Sequence, residues 1–466
     1  MYQKLVRKEV MGILEKEVGS FLNKFLTPIE KIWQPSDYLP DPSSEDFKHD
    51  LDEIQTFARE MPYDLFVTLI GDCITEEALP SYESWLMGVE GVDQEQKEIG
   101  WANWVRAWTA EENRHGDLLS KYLYLCGRVN MREVEVTTQY LINDGFDLGT
   151  SMDPYRNFVY TSFQETATNI SHRRVGTLAK QSGNGKLAKM CGVIAADEAR
   201  HAKAYKHFVA KILEIDPSEM ILAFEDMMRK KIVMPAHMMR QSGQKAGELW
   251  GHFSDAAQRC MVYTGQDYIN ILKDLLDEWK IEHVKGLNEK AEKAQEYLMK
   301  LPSRLQKITD RISTPDLQFQ FSWKIAVDFD GTIVDDAYPG IGKAKVFAFE
   351  TLRRLQAEGF RLILWTYRHG KTLDEAVEFC RKNGIEFYAV NSSFEGEVFD
   401  PETQSRKLDA DWFIDDRNLG GFPGWGEIYN IIQERIEFRV EGKEVLAYSK
   451  LKKKRKKDYS GRIIKM

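Results

Sequence analysis

Apolar side chains recur at gaps of three and four from the start of the chain. Val6, Val10, Ile13, Leu14, Val18, Phe21 and Phe25 share one face of a helix expected within residues 1–30. A stretch bearing Pro28, Pro35, Pro40 and Pro42 follows and reads as an extended loop. From Phe47 to about Leu301 the helical period returns, most clearly over 50–59, 64–76, 101–125, 155–181, 185–215 and 289–300. The texture changes near Thr314. TPDLQFQFSW carries no helical period and reads as a linker. Beyond it, strands expected in KIAVDFDGT, RLILWTYR, EFYAV and ADWFIDD alternate with helices over 347–358 and 372–383. That alternation predicts a parallel sheet with crossover helices. The expected organisation is multidomain: an all-α domain over 1–312, a linker over 313–321, an α/β domain over 322–438 and a tail over 439–466.

Composition supports that division. A chain of 466 residues can bury more than one core. Apolar content of 43% with 29% charged residues fits a soluble globular protein. No apolar run approaches the roughly 18–20 residues of a membrane span, so no transmembrane segment is expected. The N-terminus is mixed in charge and does not read as a signal or transit peptide. Five scattered cysteines without a Cys-x-x-Cys pair read as free thiols in a reducing, cytoplasmic setting. A net charge of −9 excludes a general nucleic-acid binder. From Lys450 onward nine Lys or Arg stand against one Asp, which reads as a solvated tail able to meet an acidic surface.

The candidate chemistry begins with a pattern that occurs twice: Glu112-Asn-Arg-His115 and Glu198-Ala-Arg-His201. Residues three apart share a helix face, so each copy offers a carboxylate and an imidazole to one metal. The pattern alone is common in a glutamate-rich chain. Its context is not. Glu76 lies 36 residues before Glu112, and Glu165 lies 33 before Glu198. A Glu helix followed by a Glu-x-x-His helix, twice over, is how a ferritin-like bundle holds two metal ions. Oxygen-rich ligation with two imidazoles and no thiolate suits iron or manganese.

The segments GDCITEEALPSYESW, RAWTAEENRHGDLLSKYLYLCGRV, YTSFQETATNISH, IAADEARHAKAY and DMMRKKIVMPAHMM closely resemble the soluble acyl-acyl-carrier-protein desaturases of the stearoyl 9-desaturase type. The resemblance spans about residues 10–310. It implies two irons held by Glu76, Glu112, His115, Glu165, Glu198 and His201, with Glu76 rather than Glu77 as the first ligand. It places Thr168 beside bound oxygen and makes Trp33 and Asp197 an electron relay. It implies O2, a ferredoxin-type reductant, acyl carrier protein as partner and a homodimer. No flavin or NAD fingerprint is present, so electrons must come from outside. Carrier protein is acidic, and Arg229, Lys230 and Lys231 form a candidate dock. Trp85, nine residues past Glu76, is expected to shorten the acyl tunnel.

In the α/β part, Asp328-Phe-Asp330-Gly-Thr directly follows an apolar strand, as in haloacid-dehalogenase-like (HAD) phosphatases with their Rossmann-like sheet. Asp328 can act as nucleophile and Asp330 as general acid and base. Thr366 and Lys407 can hold the phosphoryl group. Asp415 and Asp416, with Asp328 and Asp330, can hold Mg²⁺. The gaps between these motifs leave no room for a separate cap domain, so the helical domain is expected to cover part of the site. The main functional expectation is an acyl-carrier-protein desaturase with an appended phosphohydrolase. The alternatives are a ferritin-like oxidase, or a carrier-binding module whose phosphatase half is the active part.

Overall fold

A computed structural model describes residues 2–440 apart from 96–99, 244, 248, 313–322, 395, 400–404 and 406. The linker expected over 313–321 lies outside the described residues, as does the tail expected over 439–466 apart from residues 439–440, which belong to the last helix. The helical part runs through α1 (Tyr2–Glu15), α2 (Val18–Phe25), α3 (Phe47–Glu60), α4 (Tyr63–Glu77), α5 (Leu79–Met87), α6 (Trp101–Cys126) and α7 (Met131–Asp144). It continues with α8 (Pro154–Gln181), α9 (Gly185–Ile215), α10 (Pro217–Lys230), α11 (Trp250–Arg259), α12 (Gly265–Glu278) and α13 (Glu289–Ile312). The helix expected over 1–30 is thus two helices. Ile13 is 48% exposed because Met11 takes the inward place between Val10 and Leu14. The proline stretch forms two short 3-10 turns, Ile29–Lys31 and Pro35–Asp37.

Helices α4, α6, α9 and α8 close a ring, each touching the next. Their starts are set locally. Pro154 opens α8, where its missing N–H costs nothing, and Asp153 Oδ1 caps it by accepting from Tyr155 N at 2.9 Å. Asn184 Oδ1 caps α9 by accepting from Leu187 N at 3.0 Å, while its amide donates to the Tyr122 hydroxyl of α6 at 2.8 Å. Gly116 lets α6 approach α4 closely: a Cβ there would stand 3.0 Å from the Glu76 carbonyl carbon and the Glu77 nitrogen. One end of the bundle is aromatic. Phe208 is fully buried, its ring 5.0–5.5 Å from those of Phe21, Trp101, Trp104, Phe158 and Tyr205.

The C-terminal part orders β1 (Lys324–Val327), α14 (Ala348–Ala357), β2 (Arg361–Leu364), α15 (Gly370–Lys382), β3 (Ala389–Val390), β4 (Trp412–Ile414) and α16 (Trp425–Val440). The four strands are all parallel in the order β3-β2-β1-β4. The strand expected in EFYAV shrinks to two residues. It pairs only with Ile363 and Leu364, and the chain turns away at Asn391, whose φ is 49°. Among the described residues no helix is long and apolar enough to cross a membrane. All five cysteines are free, as expected.

The aromatic end is predicted to be a major source of bundle stability. Phe208→Ala should destabilise the helical part by about 3–5 kcal/mol, seen as a lower denaturation midpoint followed by far-UV circular dichroism.

Candidate two-metal site and a second acidic site

Each helix of the ring brings one part of the expected ligand set inward. Glu76 comes from the last turn of α4, Glu112 and His115 from α6, Glu165 from α8, and Glu198 and His201 from α9. Their donor atoms gather in two overlapping groups, Glu76 with Glu112, His115 and Glu198, and Glu112 with Glu165 and His201, each within 4.8 Å. Glu112 belongs to both: its Oε2 lies 3.2 Å from His115 Nδ1 and its Oε1 2.5 Å from His201 Nδ1. Glu198 Oε1 lies 3.1 Å from His115 Nδ1.

These side chains fit a pair of divalent cations. Both imidazole Nδ1 atoms, both Glu165 oxygens, Glu112 Oε1 and Glu198 Oε1 are buried without a hydrogen-bond partner. Such atoms are costly unless something binds them. Four carboxylates carry the charge that two divalent ions neutralise. Burial, with Glu112 and Glu198 close by, pushes Glu165 well above the usual carboxylate range. Burial acts on Glu76 in the same sense, but the His115 ring close by and the His172 imidazole, 2.9 Å from its Oε1, outweigh it and bring Glu76 down to about 2.

The far nitrogens of the two histidines are held crosswise. His115 Nε2 lies 3.4 Å from Asp197 Oδ2, and His201 Nε2 lies 2.8 Å from Glu111 Oε2. Arg114 donates to Asp197 at 2.7 Å, and Arg200 donates to Glu111 at 2.9 Å and also to Asp197. Such carboxylate–imidazole pairs turn each ring so that Nδ1 faces the centre of the cluster. Trp33 Nε1 donates to Asp197 Oδ2 at 3.0 Å, and the Trp33 ring stacks on His115 at 6.1 Å with 11° between planes. Thr168 donates to Glu198 Oε2 and to the Glu165 carbonyl. Glu111, Arg114 and Arg200 were missing from the sequence reading. The signal was there: both copies are acid-Glu-x-Arg-His, Glu111 to His115 and Asp197 to His201. His172, 2.9 Å from Glu76 Oε1, carries no comparable signal.

Beside Glu76 and Thr168 opens a cavity of about 460 Å³ walled by Phe163, Ile232, Trp250 and Phe253. Lys231 reaches this cavity, whereas Arg229 and Lys230 are engaged on α10 itself, Arg229 with Glu225 at 2.7 Å and Lys230 with Asp226 at 2.8 Å. The basic triplet is therefore exposed but partly neutralised. Trp85 is not part of this cavity wall. Its Nε1 donates to Thr150 Oγ1 at 3.0 Å and Asn157 Oδ1 at 3.2 Å, anchoring α5.

At the carboxyl ends of β1 and β4, Asp328, Asp415 and Asp416 bring one oxygen each within 4.8 Å of one another. Gly331, with φ 83°, is required there, because a Cβ would stand 2.3 Å from Asp416 Oδ2. Thr332 Oγ1 donates to Asp328 Oδ2 at 3.1 Å and accepts from Asp416 N at 3.0 Å, tying the two ends together. Asp330, expected beside Asp328 as a Mg²⁺ ligand and acid, is not in this group. Both its oxygens are taken by the buried guanidinium of Arg368, at 2.6 and 2.7 Å. Arg368 was also missed, though it lies two residues past Thr366. Thr366 lies two residues past the end of β2, its N–H donating to Asn391 Oδ1 at 2.8 Å. Lys407 is exposed, and its N–H donates to Ser405 Oγ at 3.1 Å.

The helical part is thus a four-helix carboxylate bundle with a candidate two-metal centre. The chain belongs to the fatty acid desaturase family, which matches residues 6–325. A chloroplastic stearoyl-acyl-carrier-protein 9-desaturase of Spinacia oleracea is 50% identical over 320 residues, covering 68% of this chain and 80% of that protein. A chloroplastic palmitoyl-acyl-carrier-protein 4-desaturase 3 of Ophrys sphegodes is 52% identical over 288 residues, covering 61% of this chain and 72% of that one. A solved structure of a conserved protein from Bacteroides thetaiotaomicron is 56% identical and covers 25% of this chain and 93% of its own, with a TM-score of 0.24.

Two outcomes follow from these geometries. Glu111→Gln should loosen His201 and weaken ferrous iron binding about tenfold or more, measured by titrating the metal-free protein. Burial, with repulsion from Asp415 and Asp416, pushes Asp328 up to about 7. A cation must displace that proton, so Mg²⁺ affinity should climb about tenfold per pH unit below 7 and level off above it. Calorimetric titration across that range should show the slope, and Asp328→Asn should abolish it.

Proposed function

We propose that the chain is an acyl-carrier-protein desaturase with an appended HAD-type phosphohydrolase unit. The observation that carries the first half is the placement of Glu76 of the six-residue cluster, with Thr168, at the wall of a largely apolar cavity, in a helical part half identical to desaturases of this type. Two irons would be held by Glu76, Glu112, His115, Glu165, Glu198 and His201, and when bound they supply the oxidising power that removes hydrogen from an unactivated CH₂ using O2. The protein's own residues do the rest. The cavity binds the acyl chain against Thr168 and Glu76 and excludes water. Thr168, hydrogen-bonded to Glu198, places a hydroxyl beside the reacting carbons. The hydrogen-bonded line Trp33–Asp197–His115 supports the reading of Trp33 and Asp197 as the path for electrons from a ferredoxin-type reductant. Lys231, with Arg229 and Lys230, is the proposed meeting point for acidic acyl carrier protein, Lys231 contributing most because its neighbours share their charge with Glu225 and Asp226. A homodimer in a reducing, cytoplasmic setting completes this reading. An iron-storing ferritin-like bundle has no use for such an acyl-sized cavity.

For the C-terminal unit, the motif order and the grouping of Asp328, Asp415 and Asp416 support a Mg²⁺ site at which Asp328 attacks a phosphomonoester. Asp330 can serve as its acid and base once Arg368 releases it. Thr366 and Lys407 would hold the phosphoryl group.

The deciding experiment loads the full chain with iron and incubates it with acyl-carrier proteins of varied chain length, reduced ferredoxin and O2. The expected product has lost two hydrogens by mass spectrometry. An unchanged mass for every chain length rejects the desaturase reading. The relatives named above differ in double-bond position, so the same spectra, after cleavage at the double bond, report where this chain acts.

A further inference from the structure

Helix α11 has two working faces. Trp250, Phe253, Ser254, Ala257 and Gln258 line the cavity beside Glu76. Phe253 is pressed onto α4, where a Cβ on Gly71 would stand 1.9 Å from its ring. The other face, at Gly251, Asp255 and Arg259, is spaced by four residues and turns toward α14 of the C-terminal unit. There Asp255 pairs with Arg354 at 2.7 Å, and a Cβ on Gly251 would lie 3.5 Å from the same guanidinium. Arg259 bridges Asp64 of α4, at 3.1 Å, and Glu350 of α14. Arg353 closes the circuit on Asp64 at 2.7 Å.

Arg354 also meets Glu358 at 3.4 Å, so the network sets four carboxylates against three guanidiniums, and Glu350 is wholly buried within it. Around it, the Tyr63 ring meets Phe349 at 5.4 Å, and Val346 and Phe347 are buried in the core of the helical part. A ten-residue helix has little stability of its own. Tertiary contacts must hold α11: α4 packs against one face, and the ion pairs on the other face come from α14 of the C-terminal unit.

We propose that the C-terminal unit braces α11 and so shapes the acyl cavity, with Asp255, Arg259, Glu350 and Arg354 acting as positioning residues for acyl-chain binding. The acyl part rests on the reading of the cavity given above. The fused unit is then more than a second activity: it is part of the wall of the first site.

The test uses the full, iron-loaded chain. Glu350→Gln removes the buried charge and leaves Arg259 and Arg353 in excess. Arg354→Asp breaks the second pair, and Arg354→Asp with Asp255→Arg restores it reversed. Hydrogen exchange read by mass spectrometry should be faster in peptides covering 250–259 for the first two variants and return toward the parent rate in the swap. Iron content and its absorption spectrum should not change. The KM for acyl-carrier protein should rise about fivefold or more while kcat moves little, again with recovery in the swap. Unchanged exchange in α11 for both folded single variants overturns the bracing. Faster exchange with an unchanged KM overturns its link to acyl binding. If the parent chain desaturates nothing, the acyl half falls with that earlier reading, and exchange in α11 still decides the bracing.

Discussion

Four carboxylates and two imidazoles buried at the centre of a helix bundle cannot stand uncompensated, and the rest of the helical part answers that constraint. Inward, Glu112, Glu165 and Glu198 leave oxygens with no partner, and the charge of two divalent ions would restore neutrality. Outward, the same histidines are met by a second ring of charge. Asp197 and Glu111 take their Nε2 sides, and Arg114 and Arg200 balance those carboxylates in turn. The site is therefore built in shells, and each shell explains the next.

The packing of the helices serves the same end. Gly116 allows α6 to reach the backbone at Glu76 and Glu77, which brings the α4 carboxylate to the α6 pair. The aromatic cluster around Phe208 sits on the side of the bundle where α6, α8 and α9 continue past their ligands. It gives those long helices a rigid anchor from which the ligands project. On the other side the wall is thinner. There α11 separates the cavity from α14, and the support comes from ion pairs as well as apolar contact.

The C-terminal unit shows the same physical theme at smaller scale. Three aspartates at the carboxyl ends of parallel strands leave excess negative charge in one place. A fourth, Asp330, is removed from that excess by a buried arginine. Thr332 couples the two strand ends by one hydroxyl that donates to Asp328 and accepts from Asp416 N. Arg368 and Thr332 therefore set how much charge a cation must meet and where.

Much of this was legible along the chain. Helix period, proline placement and the change to short β-rich runs sufficed for the all-α part and the parallel sheet, because burial of one helix face or a whole strand writes its period into the residue order. The six residues of the central cluster were legible because sharing a helix face demands fixed spacing. What stayed hidden depends on which helices meet. The crosswise pairing of His115 with Asp197 and His201 with Glu111 needs α6 and α9 side by side, although the acid-Glu-x-Arg-His repeat contained its parts. Arg368 on Asp330, the self-neutralised Arg229 and Lys230, and Trp85 standing outside the cavity wall are matters of which neighbour lies within reach of a side chain. The seating of α14 on α11 joins residues nearly a hundred positions apart, and no local period encodes a contact of that kind. Local spacing specified the chemistry; tertiary structure decided its partners, since charge pairing and cavity walls form only between elements that folding brings together.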